Sequence, residues 1–136
     1  LAIYDEGVKK GDAHSLYRMG VIFSEGQLVT RDYAKSQEYL RRAMDMGYAD
    51  AYLQTALSYR YGQGVDKNYA RYVEYLNKAV EAGSQDAILE LSEALMIGLG
   101  VERDVSKAIE ARRLYFTSKN DIWRDVLGIY GYSLNE

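Results

Sequence analysis

Histidine occurs once, at His14, and cysteine is absent. Activating a nucleophile requires a base within hydrogen-bond reach, and no such pairing is visible around His14. The lack of cysteine excludes disulfide frameworks and thiolate-bound zinc. Glu102 and Asp104 offer a carboxylate pair, yet loop solvation and helix capping account for them more simply. A metal site would have to be all-oxygen, and calcium-loop spacing does not occur. Gly62-Gln63-Gly64 and Gly98-Leu99-Gly100 have the Gly-x-Gly form seen in phosphate loops. No strand pattern precedes them and the longer nucleotide fingerprint is missing. These residues point to a chain that is not an enzyme and needs no cofactor and no metal.

The bulk numbers agree with a binding role and narrow the partner. The 136 residues suffice for a domain with a real core. Basic residues number 17 against 20 acidic, a formal charge of −3. Nucleic-acid binders show a basic excess, so a phosphate-backbone partner is not expected. No apolar run approaches the roughly 20 residues of a membrane span. Neither does the N-terminus, which starts at Leu1, carry a signal-peptide pattern, and the chain reads as a fragment or processed form.

The elements that would position any binding surface follow from a repeat. Gly26, Gly62 and Gly98 are spaced by 36 residues, as are Val29, Val65 and Val101. Ser15, Ala51 and Ala87 keep the same step, and so do Gly11, Gly47 and Gly83. Within each unit Leu16, Met19, Gly20 and Phe23 form a stripe at helical spacing. Tyr52, Thr55, Ala56 and Tyr59 are its second copy, and Ile88, Leu91, Ser92 and Leu95 its third. The small member (Gly20, Ala56, Ser92) would let a partner helix come close. Ser36, Tyr39, Leu40, Ala43 and Met44 mark a second amphipathic helix, copied at Tyr72, Tyr75, Leu76, Ala79 and Val80. Asp32, Asn68 and Asp104 stand where a short side-chain acceptor would cap that helix. The expected architecture is all-α: a solenoid of antiparallel helix pairs, with about three 36-residue repeats and flanking half-repeats. A half-repeat at 1–14 precedes repeats 15–50, 51–86 and 87–122, and a terminal helix spans 123–136, all in one domain.

These positions resemble the Sel-1-like repeat, a relative of the tetratricopeptide repeat. The second unit matches through Ala51, Tyr59, Gly62, Gly64, Val65, Ala79 and Gly83. Gly98, Gly100, Val101, Asp104, Lys107 and Ala108 match in the third, and Met19-Gly20, Phe23, Gly26, Val29, Asp32, Ala43 and Gly47 in the first. A 36-residue step fits this family better than the 34 of the tetratricopeptide repeat. Thr30, Asp66 and Glu102 replace the proline frequent after the loop valine, and the cysteine pairs of the secreted branch are absent. The resemblance implies a right-handed α-α superhelix with a concave face and an adaptor or scaffold role. It associates bacterial members with envelope assembly, exopolysaccharide secretion, signalling and host contact, and eukaryotic ones with protein quality control.

The resemblance to related repeats implies that the first helices line the concave surface. Beside the packing stripe runs a second one whose residue types change from unit to unit: His14, Tyr17 and Val21, then Leu53, Leu57, Arg60 and Tyr61, then Leu89, Glu93, Met96 and Ile97. These are the candidate partner-binding residues, with Arg60 and Tyr61 foremost because tyrosine and arginine commonly carry interface energy. The expected partner is a protein or peptide. The 14 tyrosines raise the alternative of a polysaccharide or an envelope-assembly role, with Tyr17, Tyr48, Tyr52, Tyr61 and Tyr132 left over from packing positions. Another alternative is a domain that recruits substrate for a larger enzyme. Exposed repeat ends offer a route to self-association.

Overall fold

Short acceptor side chains open the second helices and left-handed glycines close the first ones, and this local chemistry sets the architecture. The computed structural model describes residues 2–117, with side chains described for 4–116. Its elements are α1 (Ala2–Lys9), α2 (Ala13–Glu25), α3 (Tyr33–Asp45), α4 (Ala49–Tyr61), α5 (Tyr69–Glu81), α6 (Gln85–Ile97) and α7 (Val105–Thr117). Among the described residues every regular element is helical. The expected terminal helix at 123–136 lies outside them, with Trp123 and Tyr132.

Asp32, Asn68 and Asp104 each accept a hydrogen bond from the backbone N–H three residues on, at 3.0 Å. They satisfy amides that the first turn leaves without intrahelical partners. Each cap residue also donates its own N–H to the first helix of its unit. The acceptors are the carbonyls of Phe23, Tyr59 and Leu95, at 3.0, 3.0 and 2.9 Å. One backbone bond thus closes every hairpin in the same way. Gly26, Gly62 and Gly98 cap the first helices at φ of 70°, 69° and 75°, a left-handed conformation that costs glycine least.

Within a hairpin α2 packs on α3, α4 on α5 and α6 on α7. Gly20 lies so close to α3 that a Cβ there would stand 2.8 Å from Leu40. Ser36 Oγ donates to the Gly20 carbonyl at 2.6 Å across the same contact. The core of the stack falls into two clusters. Leu16, Leu40, Ala43 and Ala51 form one cluster. Tyr72, Leu76, Ala79, Ala87, Leu91 and Ala108 anchor a second. Ala51 and Ala87 are first-helix residues buried against the preceding hairpin, so each unit completes the core of the one before it.

The loops carry the stacking as well. A Cβ on Gly64 would run into Tyr33, and one on Gly100 into the backbone carbonyl of Tyr69. Tyr33 and Tyr69 open the second helices of the preceding units and stand 36 residues apart. The second glycine of each Gly-x-Gly loop therefore lies where one repeat rests on its predecessor. Leu28 holds that place in the first unit and is 71% exposed.

Candidate functional site

The first helices α2, α4 and α6 bring the candidate residues onto related positions of successive repeats. Tyr17, Leu53 and Leu89 share one position, and Val21, Leu57 and Glu93 the next. Ser24, Arg60 and Met96 share a third, and Glu25, Tyr61 and Ile97 close the helices. Burial divides this set. Val21 is 7% exposed and belongs to the core. Leu53, Leu57 and Met96 are half-buried against the larger core cluster. Leu89 is half-buried too. Tyr61 and Ile97 stand out at 55% and 57% exposure, and Glu93 and His14 are exposed.

Arg60 is the hub of a polar network that joins three helices. Its Nη2 donates to Glu93 Oε1 at 2.8 Å and its Nη1 to Glu90 Oε2 at 3.1 Å. Nη1 also donates to the Tyr72 hydroxyl at 3.2 Å. That hydroxyl in turn donates to Glu90 Oε2. The guanidinium lies against two rings, 5.3 Å from the centroid of Tyr61 and 5.5 Å from that of Tyr72. Such contacts combine charge-assisted hydrogen bonds with attraction to the ring faces. The electrostatics follow. The hydrogen bond to Glu93 is the first reason Arg60 holds its proton more tightly than a free arginine. Burial, then the Glu90 carboxylate, pushes the Tyr72 hydroxyl above its ordinary value. Arg60 holds the Glu93 carboxyl below the ordinary glutamate value.

This network is local to the junction of the second and third repeats. Arg60 stands where its counterparts are Ser24 and Met96, Tyr72 where they are Ser36 and Ala108, and Glu93 where they are Val21 and Leu57. Glu90 and the hydroxyl of Tyr72 were not among the residues expected to matter. Three departures from repeat type within one junction are the signal that points to them.

His14 sits at the other end of the surface in an aromatic cluster. Its Nδ1 lies 2.6 Å from the Tyr48 hydroxyl. The rings of Tyr17 and Tyr48 are 5.3 Å apart between centroids. Burial, followed by the charge of Asp50, raises both tyrosine hydroxyls above their ordinary value. Tyr48 occupies the N-cap of α4 without a side-chain cap bond, a place that Asp12 and Ser84 fill with acceptors in α2 and α6. Tyr52 donates its hydroxyl to the Met44 carbonyl at 3.0 Å.

Comparison with known proteins gives this repeat a family. The profile of the Sel1 repeat matches residues 13–48, 49–84 and 85–110. The chain belongs to the Sel1 repeat family. Sel1 repeats serve in general as non-catalytic modules that bind other proteins. The fold is similar to a protective antigen present in uropathogenic Escherichia coli strains that displays an SLR fold. That pair is 24% identical with a TM-score of 0.77, over 93% of this chain and 27% of the antigen. A Sel1 repeat protein from Oxalobacter formigenes is 20% identical with a TM-score of 0.73, over 86% of this chain and 48% of that protein. The chain thus spans about a quarter and about half of these two relatives. No curated protein matches it significantly.

On the Sel1 stack, no cluster of three or more histidine, cysteine, aspartate or glutamate side chains among the described residues is placed to hold a metal ion. Asp104 is engaged as the cap of α7. No helix among the described residues is long and apolar enough to cross a membrane.

Proposed function

We propose that this Sel1 domain is an adaptor that binds a protein or peptide segment along the concave face formed by α4 and α6. The observation that carries the proposal is the pair Tyr61 and Ile97. These are large apolar side chains at the same position of successive repeats, each more than half exposed. Isolated exposed apolar residues need no explanation, but two in register on adjacent helices make a surface that a partner can cover. The same two helices carry the Arg60–Glu93 ion pair, with Glu93 49% exposed. Tyrosine is among the residue types that most often anchor an interface.

Arg60 is committed to Glu90, Glu93 and Tyr72, so its role on this face is to hold the surface in shape and support the Tyr61 ring. Tyr61 and Ile97 are the residues that reach the partner. The test is selection of peptides from a displayed library against the wild-type domain, followed by affinity measurement with Tyr61→Ala and Ile97→Ala. Each variant should stay folded and lose about tenfold or more in affinity. Selected peptides that bind both folded variants as well as the wild type would remove this face from the proposal.

A further inference from the structure

The charge of the chain is not spread evenly over its helices. In the second and third repeats the first helices α4 and α6 carry four carboxylates, Asp50, Asp86, Glu90 and Glu93, and one cation, Arg60. That leaves the two helices together at −3, equal to the formal charge of the whole chain. The second helices are balanced or basic. Arg71 and Lys78 offset Glu74 and Glu81 on α5, and Lys107, Arg112 and Arg113 outnumber Glu110 on α7. Arg60 is consumed by Glu90 and Glu93. Arg18, the other cation on a first helix, lies 6.0 Å from the ring centroid of Tyr4 on α1.

Asp50 and Asp86 hold one position of successive repeats, and both are exposed. Neither has an ion pair or a side-chain hydrogen bond among the described residues. Each stands eleven residues before an exposed apolar side chain, Asp50 before Tyr61 and Asp86 before Ile97. Eleven residues are close to three full turns, so the carboxylate and the apolar group share one face of each helix. Both carboxylates line one open groove of about 380 Å³, together with Tyr48, Gly83, Ser84 and Gln85. A carboxylate in the first turn favours the positive end of its helix, which accounts for one charge on each. It does not account for a face on which the only cation is already committed.

We propose that the segment bound by the Tyr61–Ile97 face is cationic: a peptide that sets an apolar residue against Tyr61 and Ile97 and a lysine or arginine against Asp50 and Asp86. This rests on the adaptor reading of that face and adds the charge of its partner. The carboxylates lie roughly 16 Å along the helices from the apolar pair. A segment laid along the helices covers that length with about five extended residues, so its cation and its apolar residue should stand about five positions apart. Exposed charges of this kind act on partner choice and on the rate of encounter more than on final affinity.

The test takes peptides selected from a displayed library against the full chain. Selected sequences should be enriched in lysine and arginine over the starting library, with a cation about five positions from an apolar residue. Binding of a synthetic selected peptide should weaken about fivefold or more between about 50 and 500 mM sodium chloride, chiefly through slower association. Asp50→Lys combined with Asp86→Lys should lose about tenfold in affinity for that peptide and regain it for the same peptide with its cations replaced by glutamate. A merely structural role of the two carboxylates does not produce that rescue. Should the double lysine variant fail to fold, Asp50→Asn combined with Asp86→Asn takes its place, with an expected loss of about threefold. Peptides that depend on Tyr61 and Ile97 yet show no basic enrichment, no salt dependence and equal affinity for the charge variants would overturn the cationic partner and leave the adaptor reading standing. Peptides that ignore Tyr61 and Ile97, or a selection that yields no peptide, would overturn both.

Discussion

The Arg60 guanidinium stands 2.8 Å from the Glu93 carboxylate, and this ion pair ties the first helix of one repeat to the first helix of the next. The same guanidinium reaches Tyr72 on the second helix of its own hairpin. One side chain therefore fixes both the opening of a hairpin and its stacking on its neighbour. In a solenoid, stability is approximately a sum of repeat terms and nearest-neighbour interface terms. The Arg60 network belongs to the interface term of the second and third repeats.

Removing the Tyr72 hydroxyl should expose that term. Tyr72→Phe keeps the ring in a fully buried site but deletes the donor to Glu90 and the acceptor for Arg60. A hydrogen bond to a charged group contributes about 1.5–3 kcal/mol, so a loss of about 1–2 kcal/mol is expected while Arg60 and Glu90 remain paired. Urea unfolding of both proteins checks this. An unchanged midpoint would show that the hydroxyl contributes nothing to the junction.

Acid should weaken the same junction, with a sign set by Glu93. Its carboxyl is held below the ordinary value of 4.5, chiefly by the hydrogen bond to Arg60. The folded state thus binds the proton less readily than the unfolded chain. The associated stability is complete above pH 4.5 and is lost as pH falls through the lower folded-state value. Glu93 is half exposed, so solvent screening keeps the effect small. Wild type should exceed Glu93→Gln in stability at pH 7 and lose that lead in acid. Denaturant curves of both proteins from pH 7 to 2 measure the difference.

Much of the stack was legible in the sequence because its determinants are local. Asp32, Asn68 and Asp104 cap helices by reaching an amide three residues on, and Gly26, Gly62 and Gly98 end them through their own φ. Period and residue type suffice for both. The surface was less legible because helical spacing gives an angle around a helix and not its distance from the next hairpin. Val21 has the same angle as Leu57 and Glu93, yet it is buried while Glu93 is exposed. Tyr72 reads as a core residue from its stripe, and its ring is one. Its hydroxyl meets Glu90 and Arg60 on two other helices, a relation that the period along one helix does not contain.

Tyr61 separates binding from folding. The side chain is 55% exposed, and its ring faces Arg60 across 5.3 Å. Truncation to alanine leaves the Arg60 hydrogen bonds in place and should change stability by less than about 1 kcal/mol. Loss of affinity for a selected peptide by about tenfold would then report contact and not collapse. Thermal unfolding of the variant without ligand supplies the control, and a large drop in its midpoint would make Tyr61 a structural residue.

Thr55 offers a gain in stability. Its Oγ1 is buried and finds no hydrogen-bond partner among the described residues. A hydroxyl without a partner in an apolar setting costs about 1–3 kcal/mol. Its counterparts in the stripe are the apolar Met19 and Leu91, so the site tolerates a hydrocarbon side chain. Thr55→Val keeps the β-branched shape and should raise stability by about 1 kcal/mol, read from the urea midpoint. A loss on substitution would mean that the hydroxyl is hydrogen-bonded in solution.

The loop glycines give the sharpest contrast between strain within a repeat and contact between repeats. Gly47 and Gly100 have nearly equal φ, 76° and 73°. A Cβ on Gly47 would meet nothing within 4 Å, whereas one on Gly100 would strike the Tyr69 carbonyl. Gly47→Ala should therefore cost only the left-handed conformation, roughly 1–2 kcal/mol. Gly100→Ala bears the same conformational cost and must also push the third repeat off the second. Its loss should exceed that of Gly47→Ala by about 1 kcal/mol or more. Equal losses would place the burden on backbone conformation alone, and the second loop glycine would then have no part in stacking the repeats.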